Sequence, residues 1–232
     1  MIPKERITIL ADAQAVAAHA AQLIAAAARD AVHQRGQFLL AVSGGSTPLA
    51  MFDALAEQEL PWARVQLFQV DERVAPLGDA SRNLTGLTNH LISRIELPAD
   101  QLHAMPVEAV EQVDAAALYA ERLHRVAGRP PALDLVHLGL GADGHTASLV
   151  PGGSALEATD DVALTALPYQ GHRRMTLTYP VLAGARQLLW VVTGAEKGNA
   201  LDQLLRGDSG IPAGRVAQER AVVITDRVAG QR

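Results

Sequence analysis

The sequence predicts an α/β fold, a mostly parallel sheet flanked by helices, and three observations predict it. Short, continuous apolar runs alternate with helical stretches. Each run is followed by a turn or by polar residues, the way a strand buried on both faces of a parallel sheet reads. Apolar residues make up 49% of the chain and aromatic residues only 3%, so the core is built from Ala, Val, Leu and Ile. That composition suits helices packed over a buried sheet.

In chain order, the charged start MIPKERITIL leads into a strand-like run. An Ala-rich helix follows over about 12–34, interrupted by His19 and Gln22. The first buried strand is FLLAV at 38–42, then a helix over 48–59. VQLFQV at 65–70 is the next strand, followed by helices over 82–94 and 108–127. Pro130-Pro131 is a local breaker before LDLVHL at 133–138. Residues 160–178 differ: alternating Thr in two short runs reads as a hairpin or an edge addition to the main sheet. LLWVV at 188–192, a helix over 195–206 and AVVI at 221–224 complete the alternation, which argues for right-handed crossovers. With no internal repeat and no linker, residues 1–232 read as one domain.

Composition excludes several classes. A net charge of −5 and a pI near 5.9 oppose a nucleic-acid partner, which needs a basic excess. With no cysteine there are no disulfides and no thiolate metal sites. No apolar stretch reaches the ~20 residues a membrane span needs, and the first residues lack a signal-peptide pattern. The expectation is a cytoplasmic protein with no membrane partner.

Five segments carry chemistry. Ser43-Gly44-Gly45-Ser46-Thr47-Pro48 joins a strand to a helix, with Thr47 as the expected N-cap and Pro48 in the first helical position. Its backbone N–H groups suit an anion at the positive end of the helix dipole; a plain tight turn is the alternative. Asp71-Glu72-Arg73 ends the 65–70 strand, where ligands bind in open α/β sheets. Its charges suit substrate hydroxyls or an internal ion pair in a solvated turn. Downstream, Ser81 is the expected N-cap of the next helix. Arg82 beside it opposes the dipole unless it meets an anion.

Gly139-Leu140-Gly141-Ala142-Asp143-Gly144-His145 is the strongest of the five. Its three glycines place Asp143 and His145 at a strand's carboxyl end, the make-up of a tuned general base. The other seven histidines lack such a setting and read as surface or core residues. Arg173 and Arg174 sit on a strand, so only one of them can face a site. Lys197, one of two lysines in the chain, lies in a first helical turn where a cation is disfavoured. A bound phosphate removes that conflict, and so does an ion pair with Glu196.

SGGSTP at 43–48, DER at 71–73, LGLGADGHTASLVPG at 138–152, RRMTLTYPVLAGA at 173–185 and VTGAEKGNAL at 192–201, in this order, resemble the 6-phosphogluconolactonase family. The resemblance implies a Rossmann-like fold, shared with glucosamine-6-phosphate deaminase and ribose-5-phosphate isomerase. It implies hydrolysis of 6-phospho-D-glucono-1,5-lactone to 6-phospho-D-gluconate in the oxidative pentose phosphate pathway. No cofactor and no metal are implied, and the only partner is a small phosphorylated sugar lactone, bound by a monomer or weak homodimer. His145 becomes the base that activates water, with Asp143 orienting the site. Phosphate falls to Ser43, Gly44, Gly45, Ser46 and Thr47, with Lys197 and one or both of Arg82 and Arg174; the resemblance selects Arg174 over Arg173. Asp71 and Arg73 contact substrate or brace the loop.

Two rivals stand beside this reading. Deaminase relatives carry an acidic residue soon after the histidine, but here Thr146-Ala147-Ser148-Leu149-Val150-Pro151 follows and the next acid is Glu157. A sugar-phosphate sensor without catalysis is the non-enzymatic alternative.

Overall fold

The computed structural model describes residues 1–109 and 112–230. The first strand, β1 (Ile7–Leu10), leads into α1 (Ala13–Arg35). Asp12 caps α1 by accepting from the Ala15 N–H at 2.8 Å, and Gly36 closes it in the left-handed conformation at φ 79°. Val16, Ala20, Ile24, Ala28 and Ala31 form its buried stripe. Small Ala side chains let this helix lie close on its neighbours.

The chain continues through β2 (Phe38–Val42), α2 (Thr47–Ala56), β3 (Val65–Gln69), β4 (Asp71–Arg73) and α3 (Asn83–His90). Next come β5 (Leu102–His103), α4 (Gln112–Ala127), β6 (Leu135–Leu138), β7 (Val162–Leu164) and β8 (Arg174–Leu177). The last elements are α5 (Tyr179–Gly184), β9 (Leu188–Val192), α6 (Gly198–Arg206), β10 (Ala221–Asp226) and α7 (Arg227–Gly230). Most expected elements are present with shifted ends. The 82–94 helix breaks at Leu91 into α3 and a 3₁₀ turn, Ile92–Arg94. For the 108–127 helix, residues 108 and 109 are not helical, and positions 110–111 lie outside the described residues.

Seven strands form one sheet in the order β1-β10-β9-β6-β2-β3-β5, and every pairing is parallel. Along β2, Phe38, Leu40 and Val42 join the core under α1 and α2, while Leu39 and Ala41 join the core on the opposite face. Burial on both faces explains why these runs are continuously apolar. Strand order reverses around β2: the chain goes to β3 on one side and later returns to β6 on the other. The crevice at such a reversal, beyond the carboxyl ends of the strands, is where open α/β sheets bind ligands.

Residues 160–178 do form a hairpin, but not one added to the main sheet. β7 and β8 pair antiparallel, and β8 pairs with β4 in a separate sheet ordered β4-β8-β7. Val70 is the crossover: its N–H donates to Val42 O at 3.0 Å in the large sheet, and its carbonyl accepts from Leu177 N at 2.8 Å in the small one. Asp71-Glu72-Arg73 is therefore a strand, not a solvated turn, and Glu72 is fully buried.

Candidate active site

A cavity of about 310 Å³ opens at the carboxyl ends of β2, β6 and β9, with the small sheet as its further wall. Three loops and two short strands, each from a segment singled out in the sequence, build most of it, and the Tyr169–His172 turn and the start of α3 add Gln170 and Asn83.

The loop after β6 holds the acid–base pair. His145 Nδ1 lies 2.6 Å from Asp143 Oδ1, and the His145 N–H donates to the same oxygen at 3.2 Å. The Gly141 N–H donates to the His145 carbonyl at 2.8 Å, closing the loop on itself. Only glycine fits at 141: a Cβ there would stand 2.0 Å from His145 Nδ1. With Nδ1 on the carboxylate, Nε2 is the ring nitrogen without a protein partner among the described residues, and the His145 side chain is 23% exposed to the cavity. Burial pushes the Asp143 carboxyl up, but hydrogen bonds with His145 and Tyr169 outweigh it and hold the group below the ordinary carboxylate range. Asp143 thus carries its charge beside the imidazole, the arrangement that orients a general base.

The loop after β2 holds the donors. Ser43 is buried, with its N–H and Oγ on the His137 carbonyl at 3.3 and 3.2 Å. The N–H groups of Gly44, Gly45 and Ser46 have no protein acceptor among the described residues, and all three residues line the cavity. Gly44 is obligatory, because a Cβ there would meet Asn83 Oδ1 at 2.0 Å. The expected cap is corrected by one position: Ser46 is the N-cap of α2, without a side-chain cap bond, and Thr47 opens the helix ahead of Pro48. An uncapped helix start beside N–H groups without acceptors has the polarity to receive an anion.

The cations are Arg73, Arg174 and Lys197. Arg73 and Arg174 are directly opposed across β4 and β8, a pairing of like charges that destabilises a sheet unless an anion lies between them. Arg73 Nη1 donates to the Ser81 carbonyl at 2.7 Å. Arg174 is buried, which pulls its guanidinium down from the ordinary arginine value against the opposite pull of Asp71. It donates to the Tyr169 carbonyl through Nε at 3.3 Å and Nη2 at 3.2 Å. Arg173, on the other side of the strand, is exposed and does not line the cavity. Lys197 lies in a 3₁₀ turn, Ala195–Lys197, and its Nζ donates to the Leu140 carbonyl. Among the described residues it makes no ion pair with Glu196.

Arg82 must be taken out of this group. Its side chain is 1% exposed and is spent on two carboxylates: Nε is 3.0 Å from Glu72, and Nη1 is 2.5 Å from Glu108. It is the N-cap residue of α3, where Ser81 was expected. The dipole conflict is resolved by Glu72, whose carboxylate accepts the N–H groups of Asn83 at 2.7 Å and Leu84 at 2.9 Å. No feature of the local sequence shows that carboxylate, because it arrives from another strand.

Asp71 faces the cavity, yet its oxygens are occupied. Ser148 Oγ donates to Oδ2 at 2.7 Å and Asn83 Nδ2 donates to Oδ1 at 3.2 Å. Burial raises its carboxyl above the ordinary value, opposed by Ser148, Arg73 and Arg174. Asp71 therefore ties together the 139–148 loop and the start of α3.

Sequence reasoning passed over Tyr169, Gln170, Asn83 and Ser148. Tyr169 OH donates to Asp143 Oδ2 at 2.8 Å, and Gln170 lines the cavity. The available signal was Tyr-Gln-Gly between two short strands, a hairpin turn that must present its residues at one end of the small sheet.

Residues 11–225 match the family model described as glucosamine-6-phosphate isomerases/6-phosphogluconolactonase. A 6-phosphogluconolactonase of Nostoc sp. is 38% identical over 206 residues, covering 87% of this chain and 85% of its own. A solved 6-phosphogluconolactonase from Thermotoga maritima superposes with a TM-score of 0.86 at 27% identity, covering 95% of this chain and 98% of its own. A monomeric glucosamine-6-phosphate deaminase superposes with a TM-score of 0.83 at 17% identity over 96% of this chain and 98% of its own, a likeness of fold alone.

Proposed function

The chain belongs to the glucosamine-6-phosphate isomerase/6-phosphogluconolactonase family, and from that premise we infer that it hydrolyses 6-phospho-D-glucono-1,5-lactone to 6-phospho-D-gluconate, the lactonase step of the oxidative pentose phosphate pathway. The observation that carries the reading is a histidine–aspartate pair in a cavity whose other walls present three cations and a row of free N–H groups.

The phosphate binds at Arg73, Arg174, Lys197 and the N–H groups of Gly44, Gly45 and Ser46. Charge-assisted bonds of this kind fix position strongly. That anchors the lactone carbonyl at the opposite side, toward His145. Nε2 accepts a proton from water as its oxygen attacks C1. Charge collects on the carbonyl oxygen, where a backbone donor is needed. The Ala147 N–H, on the cavity wall and without a protein acceptor among the described residues, is available for it. When the oxyanion collapses, the bond from C1 to the ring oxygen breaks and the proton on Nε2 passes to that oxygen as it leaves. The new carboxylic acid then loses its proton to solvent. A positioned acid–base group contributes ~10²–10⁴-fold. For an activated ester that hydrolyses unaided, this scale suffices.

The deaminase alternative needs an acid near the histidine. The first one after it, Glu157, has an 80% exposed side chain paired with Arg215 at 3.0 Å and does not line the cavity. Residues 1–232 act as one domain, since strands at both ends of the chain, β1 and β10, are neighbours in the one large sheet. Every group named above comes from one chain, so a monomer or weak homodimer in the cytoplasm is sufficient. The net charge of −5 argues against nucleic acid. No helix among the described residues is long and apolar enough to cross a membrane.

The test generates the lactone with glucose-6-phosphate dehydrogenase and follows its loss directly, with glucosamine 6-phosphate in a parallel assay for ammonia. Accelerated lactone loss without ammonia is expected. Ammonia release, or lactone loss at the uncatalysed rate, overturns the reading.

A further inference from the structure

We propose that Tyr169 is a positioning residue for the base, holding Asp143 against His145 and tying that pair to Arg174 on the phosphate side. The inference rests on His145 acting as the base.

Both oxygens of Asp143 are engaged. Oδ1 takes His145, and Oδ2 accepts from Tyr169 OH at 2.8 Å. The phenol oxygen is also 3.3 Å from His145 Nδ1, and the two rings meet edge-on with centroids 5.3 Å apart. A carboxylate gripped from two sides cannot rotate away from the imidazole it orients. The other half of Tyr169 serves Arg174. Its carbonyl accepts from Nε and Nη2, and Cζ of the guanidinium stands 5.2 Å from its ring centroid, within cation–π range.

The turn that presents Tyr169 is strained. Tyr169 and His172 form an isolated antiparallel bridge, with Gln170 at φ 50° and Gly171 at φ 86° between them. Two positive φ values suit a hairpin turn, but Gln is a poor residue for the first of them. Gln170 holds it while its side chain reaches both partners: Nε2 donates to Tyr169 OH at 3.4 Å, and Oε1 accepts from Arg174 Nη2 at 3.3 Å. Strain held in place by such contacts is characteristic of functional sites. Burial and the Asp143 charge push the Tyr169 phenol up to about 12, so it is a donor throughout the working range.

The charged groups around this cluster are Asp143 and His145 on their loop and Arg174 on β8, with Arg73, Asp71 and Lys197 further along the cavity. Removing the phenol proton donor leaves the Asp143 charge undivided toward His145. The imidazolium is then better stabilised, and the base protonates at a higher pH.

The experiment compares the full-length wild type with Tyr169→Phe and Tyr169→Ala. The His145 imidazole C–H signal is followed by NMR against pH, assigned through its loss in His145→Ala. In Tyr169→Phe the midpoint moves to higher pH, and the acid limb of kcat moves with it. kcat falls, by less than the ~10²–10⁴-fold that a positioned acid–base group itself contributes, while KM is unchanged. Tyr169→Ala also loses the ring under Arg174, so its KM rises. An unmoved imidazole midpoint in Tyr169→Phe overturns the proposal even if kcat falls, because that pattern is a merely structural effect. Normal turnover in His145→Ala instead sinks the base assignment, which the imidazole titration does not depend on.

Discussion

Arg82 and Arg174 are almost equally buried, 2% and 3% exposed, and lie on either side of the same short strand pair, yet they do opposite things. Arg82 is closed in by Glu72 and Glu108 and does not line the cavity, although its buried Nη2 has no hydrogen-bond partner among the described residues. Arg174 faces another arginine across the sheet and is held only by a carbonyl, an amide and a ring. Paired charge anchors the α3 junction, whereas Arg174 lines the cavity without an ion-pair partner among the described residues. The two carboxylates of the site differ in what they hold: Asp71 ties Ser148 to Asn83, and Asp143 is held between His145 and Tyr169.

The comparison is broken most sharply at its reactive end. His145→Ala lowers kcat by about two orders of magnitude or more with the melting temperature retained, and near-normal turnover removes the base. Gly141→Ala, which places a Cβ against the His145 ring, reproduces much of that loss by displacing the imidazole. Steady-state kinetics beside circular dichroism check both.

The two arginines are tested as a pair. Arg82→Met leaves Glu72 buried and unpaired, which costs about 3–5 kcal/mol of stability in comparable cases, with KM little changed in whatever folds. Arg174→Met is the reverse, near-normal in urea denaturation with KM raised at least ~10-fold, the scale of a lost charge-assisted bond. If the two exchange phenotypes, the division between anchoring and binding charge is wrong. Lys197→Ala raises KM by a similar or smaller factor, and unchanged substrate affinity removes it from the phosphate site.

The smallest effect concerns the buried histidines. Burial pushes His137 down to about 3 and His103 to about 4, with Arg122 adding to the latter. An unfolded histidine titrates near 6.5. Below that pH the unfolded chain binds protons the folded chain refuses, so this contribution is whole above about 6.5 and is lost as pH falls toward 4 and then 3. The urea midpoint of His137→Phe, measured from pH 7.5 to 5, declines less steeply than that of wild type. Parallel declines would show that His137 does not carry this dependence.

Much of the fold was legible because strands buried on both faces leave continuous apolar runs, and helices between them leave caps and glycines. The small sheet was not: β4 and β8 are about a hundred residues apart, and three charged residues look like a turn until a partner strand covers them. At the site, the Gly-rich loop showed His145 and Asp143 together because their contact is two residues long. Arg82 and Arg174 could not be told apart, since each depends on groups that arrive from elsewhere in the chain.

The sequence by itself determined the alternating α/β order, the Gly-rich strand-to-helix turn at 43–48 and the histidine–aspartate pair, all of which follow from local backbone freedom and periodic burial. The tertiary structure alone decided which cations stay free, that Glu72 caps α3, and that Tyr169 reaches Asp143. The physical reason is that a charge is available or spent according to what is packed against it, and those neighbours are set by sheet pairing and not by adjacency along the chain.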